Sequence, residues 1–142
     1  MNAIYSPAVL ERFERPRYAS PLPASDGERI TASAGSRRAG ALVELSLRVS
    51  GDCVVEAGFR AFGCPHTIAA ASCVAERVAG QRLEALQDFD LQSIETELDV
   101  PSAKLGRLLI IADALAECVD VWRSRRAQPE EYGNGTEIWP SH

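Results

Sequence analysis

Four cysteines and two histidines carry most of the nucleophilic and metal-ligating capacity of this 142-residue chain. Cys64 stands apart because of its neighbours, Phe62-Gly63-Cys64-Pro65-His66. Proline suits the first position of a helix, where its missing N–H has no intrahelical partner and its ring presets the helical φ, so Cys64 is expected at the N-cap. A thiol there faces unpaired backbone N–H groups and the positive end of the helix dipole, and both favour thiolate over thiol. The competing reading is a cysteine buried as a small hydrophobe, which is common. The glycine before it and the proline after it favour the reactive thiol.

His66 could join Cys64 on one metal ion or act as its proton partner, against the plainer reading of a solvated histidine at a helix start. Cys73 follows Cys64 down the same helix at a distance of about 13 Å, too far to share an ion, and reads as core. Cys118, among Ile111, Ala114 and Val121, reads as packing. Cys53 follows a turn without an evident partner, and His142 in the tail reads as inert. Hydrolase, nucleotide and redox signatures (CxxC, HExxH, P-loop, GxGxxG, GxSxG) are absent from the sequence. Glu95 and Glu97 fall on different helix faces and read as solvated.

These side chains need elements to position them. Ser6-Pro7 should open a first helix, with Val9, Leu10 and Phe13 as its apolar stripe and Pro16 beyond its end. Residues 17–27, with Pro21, Pro23 and Asp26-Gly27, read as a surface loop, followed by a short strand around Arg29–Ala34. Ala34–Ala41 is polar and glycine-containing, and is expected to be a mobile connection. Leu42–Val49 alternates cleanly, with Val43, Leu45, Leu47 and Val49 on one face and Glu44, Ser46 and Arg48 on the other. Cys53–Phe62 resumes a strand with Val55, Ala57, Phe59 and Ala61 facing one way, giving an antiparallel hairpin with one solvated face.

After the Cys64 corner, Ile68, Ala71, Ser72, Ala75 and Val78-Ala79 recur at helical spacing, small enough for close approach to the sheet, and Gly80 stops the helix. A helical turn at Leu83–Gln87 and a short helix capped by Asp90 or Ser93 and ending near Leu98 come next. The longest helix should run from about Ser102 to Arg125, its stripe formed by Leu105, Leu108, Leu109, Ala112, Leu115, Ala116, Val119 and Trp122. From about residue 127 the tail reads as irregular, docked through Ile138 and Trp139. The pattern is α+β, a small antiparallel sheet of about three strands with helices packed on one face.

The length suits a single domain over 1–142 whose core needs no staples. A net charge of −5 argues against a nucleic-acid surface. The N-terminus lacks a secretory pattern and no apolar run approaches the roughly 18 residues of a membrane span. A cytoplasmic protein with reduced thiols, no membrane contact and no nucleic-acid partner is the expectation.

Three collinear stretches spanning most of residues 5–125 resemble the IscU/NifU-type iron–sulfur cluster assembly scaffolds. They are the opening YSPAVLERFERPRY, the hairpin running into AGFRAFGCPHTIAAAS, and VPSAKLGRLLIIADALAECV. The resemblance implies an IscU/SufE-like fold and a non-enzymatic, scaffold-like role in cluster assembly, with a cysteine desulfurase and other assembly proteins as partners. It matches Cys64 to the second of three family cysteines, the retained sulfur or metal contact. Where the family has Cys-Gly-Asp this chain has Ala39-Gly40-Ala41, and where it has His-Cys this chain has Gly106-Arg107. The family's chaperone-recognition segment is reduced to one proline and the lysine in Val100-Pro101-Ser102-Ala103-Lys104.

An iron–sulfur cluster or structural zinc ordinarily takes four protein ligands, and Cys64 with His66 cannot supply them alone. A second copy of the chain or a partner protein could complete the set. If the family geometry is kept, Arg107 sets a cation near Cys64, favouring its thiolate and opposing a metal cation. A relay in which Cys64 takes sulfur from a donor persulfide needs one activated thiol and no metal. The alternative is a paralogue that keeps the scaffold's shape without binding a cluster and serves as an interaction or regulatory module.

Overall fold

Ser6 starts the first helix and fastens it to another. Its hydroxyl accepts the Val9 N–H at 3.2 Å, capping α1 (Pro7–Glu14), and donates to the Leu98 carbonyl at 2.6 Å, at the end of α3 (Leu91–Leu98). The computed structural model describes residues 5–23 and 28–127. The expectations for Asp26-Gly27, for the tail beyond Ala127 and for His142 lie outside them.

Three antiparallel strands, β1 (Glu28–Ser36), β2 (Ala41–Ser50) and β3 (Cys53–Phe62), form one sheet in the order β1-β2-β3. Their registers bring Ile30 to Leu47, Leu47 to Ala57, Ala32 to Leu45 and Leu45 to Phe59, so one face is a continuous apolar surface. The helix α4 (Leu105–Ala127) packs across β1 and β2, and α2 (Pro65–Val78) packs against β3 and α1. This is the α+β architecture expected, with the helices on one sheet face. No helix of the described residues is long and apolar enough to cross a membrane.

Several expectations change. Ala34–Ala41 is a tight hairpin and not a mobile connection: Gly35 pairs with Leu42, Ser36 pairs with Ala41, and the Gly40 N–H closes the turn onto the Arg37 carbonyl at 3.0 Å. In β3 a register shift lets Val49 pair with Val54 while Arg48 pairs with Glu56, so Val55 bulges out at 56% exposure and Val54 takes its place in the core. In α4 the buried stripe is Leu108, Ile111, Ala114, Leu115, Cys118, Val119 and Trp122, and Leu109 is exposed. The helix presents this stripe to the sheet, and a 3₁₀ turn at Ser102–Lys104 precedes it.

A further change concerns the sheet's second face, where Glu44 and Ser46 are buried although they alternate out of the core. The segment after α1 covers them. The Phe59 N–H on the outer edge of β3 donates to the Tyr18 carbonyl at 2.9 Å, Arg29 donates to the Leu22 carbonyl at 2.9 Å, and Leu22 is itself buried. Gly58, opposite Ser46, makes the crossing possible, because a Cβ there would lie 2.2 Å from the Ser20 carbonyl oxygen. Under this cover Glu44 is held by Arg60 through two bonds of 3.0 and 3.3 Å.

On the far side of α2, Arg12 reaches Glu76 at 2.8 Å and Glu97 at 3.6 Å, and Arg77 also pairs with Glu97. Glu97 therefore stands in an ion-pair network and is not merely solvated. Ser72 accepts the Arg17 N–H at 3.1 Å and donates to the Arg17 carbonyl at 3.0 Å, which ties the segment after α1 to the middle of α2.

Candidate functional site

The corner between β3 and α2 is built by three consecutive residues. Gly63 adopts a φ of +155°, and a Cβ there would fall 2.9 Å from Thr67 Cβ and Oγ1, so the packing of the corner excludes a side chain. Cys64 is the N-cap in an extended conformation, Pro65 begins the helix, and the Ile68 N–H closes the first turn onto the Cys64 carbonyl at 3.2 Å. The sulfur is half-buried and 3.7 Å from the Thr67 hydroxyl.

Burial pushes the Cys64 thiol up. The Thr67 backbone N–H, the Thr67 hydroxyl, the His66 backbone N–H and the Arg107 guanidinium outweigh it, leaving the thiol below its ordinary value. These N–H groups act at close range without a full capping bond to sulfur. Thr67 is the contributor that sequence reading missed. Its signal was available, since the third residue of a helix is placed to reach back to the N-cap.

Arg107 stands in the first turn of α4, and its Nη2 lies 4.0 Å from where a Cβ on Gly40 would be. The guanidinium is thus held between the β1–β2 turn and the sulfur, and its Nε is buried without a hydrogen-bond partner. The three segments carrying residues 39–41, 64 and 106–107 converge at one end of the sheet.

His66 is fully buried, which removes the solvated reading. Its ring packs 5.0 Å from the Tyr5 ring at a tilt of 53°, and neither ring nitrogen has a hydrogen-bond partner, so no bond joins it to the Cys64 sulfur. Burial, then the charges of Lys104 and Arg107, push its pKa down, and the imidazole is neutral at neutral pH.

The other thiols are separated from this corner. Cys73 is buried beside Glu97, 3.9 Å from Oε2, and its thiol is pushed up mainly by burial. Burial, reinforced by Glu117 and Glu44, drives Cys118 up to about 12. Cys53 is half-buried with its sulfur 3.5 Å from Asp52 Oδ1. Among the described residues no three His, Cys, Asp or Glu side chains come together in a way that could hold a metal ion. With no third donor beside Cys64 and His66 and the Arg107 cation nearby, the described residues do not fit a four-ligand zinc or cluster site. The corner offers a half-buried thiol whose ionised form its surroundings favour, suited to nucleophilic attack on sulfur.

Comparison with known proteins supplies the context. The family model described as "NifU-like N terminal domain" matches residues 4–129. The mitochondrial iron sulfur cluster assembly protein 1 of Schizosaccharomyces pombe is 32% identical over 127 residues, covering 89% of this chain and 66% of that protein. The iron-sulfur cluster assembly scaffold protein IscU of Escherichia coli K12 is 28% identical over 123 residues, covering 86% of this chain and 96% of its own. A crystal structure of a nitrogen-fixing NifU-like protein (N-terminal) from Brucella abortus superposes with a TM-score of 0.63 at 19% identity, covering 88% of this chain and 96% of that one, a likeness of fold.

Proposed function

Because the chain belongs to the family of the NifU-like N terminal domain, we propose that it serves iron–sulfur cluster assembly as a scaffold-like protein whose sulfur-accepting contact is Cys64. The observation that carries this reading is the half-exposed Cys64 sulfur at the N-terminus of α2 with the Arg107 guanidinium beside it. The cluster is cargo here. One thiolate receives sulfur, and a second chain or a partner protein supplies whatever further ligands the cargo needs. The donor is a cysteine desulfurase, and the chain acts by binding and handing on, without catalysing turnover of its own. A cytoplasmic, reducing setting keeps Cys64 a free thiol, ready to accept.

Incubation with a cysteine desulfurase and cysteine, followed by mass spectrometry, tests the reading. An added sulfur atom is expected on Cys64 and absent in Cys64→Ser; an unmodified wild type refutes it. The lack of a three-ligand group among the described residues favours one second reading, an interaction module of the assembly machinery that holds no cluster. Pull-down of the desulfurase by wild type and Cys64→Ser alike, with neither adduct nor metal after anaerobic reconstitution with iron and sulfide, would select it.

A further inference from the structure

The three segments that carry Gly40, Cys64 and Arg107 all hold cationic side chains. Residues 36–41, 60–68 and 104–110 contribute Arg37, Arg38, Arg60, Lys104 and Arg107 and not one Asp or Glu, in a chain whose net charge is −5. Arg60 is engaged by Glu44 across the β2–β3 ladder. Arg37 lies over the Phe62 ring at 5.1 Å, and Arg107 is held against Gly40 with its Nε buried and unpartnered.

Resting on the reading of Cys64 as a sulfur acceptor, we infer that this corner selects an anionic persulfide donor, one with a carboxylate or comparable negative group near the transferred sulfur, and that Arg107 sets the preference. The Cys64 thiolate attacks the outer sulfur of R–S–SH. A new bond joins Cys64 to that sulfur, the donor's S–S bond breaks, and R–S⁻ leaves with its electron pair. The product is Cys64–S–SH, and no outside oxidant or reductant is consumed. A guanidinium near the sulfur attracts the negative donor and the ionised product, and repels a metal cation competing for the same thiolate.

Alkylation of the intact chain by iodoacetate and iodoacetamide tests the selectivity. Both reagents attack through the same thiolate, so the ratio of their rates cancels the ionised fraction and reads local charge. Peptide mass spectrometry follows each cysteine. Loss of one unit charge a few ångströms away at high effective dielectric lowers the iodoacetate-to-iodoacetamide ratio about three- to tenfold in Arg107→Gln. Arg107→Lys, which keeps the charge, holds the Cys64 ratio near wild type. Cys53, whose neighbour is the Asp52 carboxylate, keeps its ratio in both variants. An unchanged Cys64 ratio in Arg107→Gln, or an equal loss in Arg107→Lys, overturns the inference.

Glutathione persulfide, its diester with both carboxylates masked, and a persulfidated desulfurase then separate the sources. Arg107-dependent preference for the charged glutathione form assigns a small-molecule donor. Transfer from the protein alone, reduced in Arg107→Gln, assigns a protein donor. Transfer indifferent to Arg107 from all three overturns the selectivity. No adduct from any donor while the alkylation ratio behaves as expected sinks the acceptor reading instead.

Discussion

Replacing Gly58 by alanine should strip the cover from the second face of the sheet. The new Cβ would lie 2.2 Å from the Ser20 carbonyl oxygen and 3.5 Å from Leu22 Cδ2. The first contact is with backbone, so no rotamer change relieves it and the segment must lift. Lifting forfeits the 2.9 Å bond from the Phe59 N–H to the Tyr18 carbonyl and the burial of Leu22. The hydrogen bond contributes about 1 kcal/mol and a fully buried leucine about 2–3 kcal/mol, so a loss of about 3–4 kcal/mol is expected. For a chain of this size that lowers Tm by about 8–15 °C. Urea and thermal unfolding measure the loss, and trypsin cleavage after Arg17 in native buffer reports the lifted segment. Leu22→Ala, which inserts nothing, should recover about 2–3 kcal/mol of the same loss. A Gly58→Ala protein within 1 kcal/mol of wild type that resists trypsin equally well would refute the covering role.

Two further outcomes follow from local geometry. Ser6→Ala removes a cap and leaves the Leu98 carbonyl without its donor, and chemical denaturation should show a loss of about 1–2 kcal/mol. The Cys64 thiol is depressed in the folded state, so the native protein holds its proton less tightly than the unfolded chain. Its contribution to stability is present above the unfolded thiol value and fades as pH falls through the folded one. The stability difference between wild type and Cys64→Ser should therefore grow in favour of wild type as pH rises from near neutrality toward the ordinary thiol value, and a flat difference would count against a favoured thiolate. Cys73 and Cys118, whose thiols are raised, act only above that window, and the same subtraction cancels them.

The Cys64 corner was legible because everything that defines it is local. Gly63, Pro65 and the small residues of α2 state the strand end, the cap and the helix within one short run, and of the two caps open for α3, Asp90 or Ser93, the structure uses Asp90. Features that failed to show in the sequence depend on distant partners. Val55 alternates correctly for the core, and only the pairing of Arg48 and Val49 with β3 pushes it out as a bulge. Glu44 and Ser46 alternate correctly for solvent, but a segment some twenty residues earlier closes over them, and Arg60 neutralises the carboxylate. His66 has the look of a surface residue at a helix start until Tyr5, from the other end of the sequence, packs on its ring.

The same dependence explains why the site's chemistry follows from its three converging segments more than from any one motif. The hairpin turn at Gly40, the N-cap at Cys64 and the first turn of α4 at Arg107 meet whether their side chains are ligands or not, because the meeting is fixed by the sheet registers and by the burial of Leu108 and Ile111 beneath α4. What occupies those positions then decides the cargo. Three anionic or neutral donors around one point would stabilise a metal cation; one thiolate opposed by a guanidinium stabilises negative charge. Restoring a ligand at position 107 alone would remove the repulsion without supplying the remaining donors, so Arg107→Cys should lose the anion preference of Cys64 and still bind zinc weakly in a chromophoric chelator competition. Tight zinc binding by that single variant would mean that a third donor already stands within reach of the sulfur, and the ligand-poor description of this corner would fall.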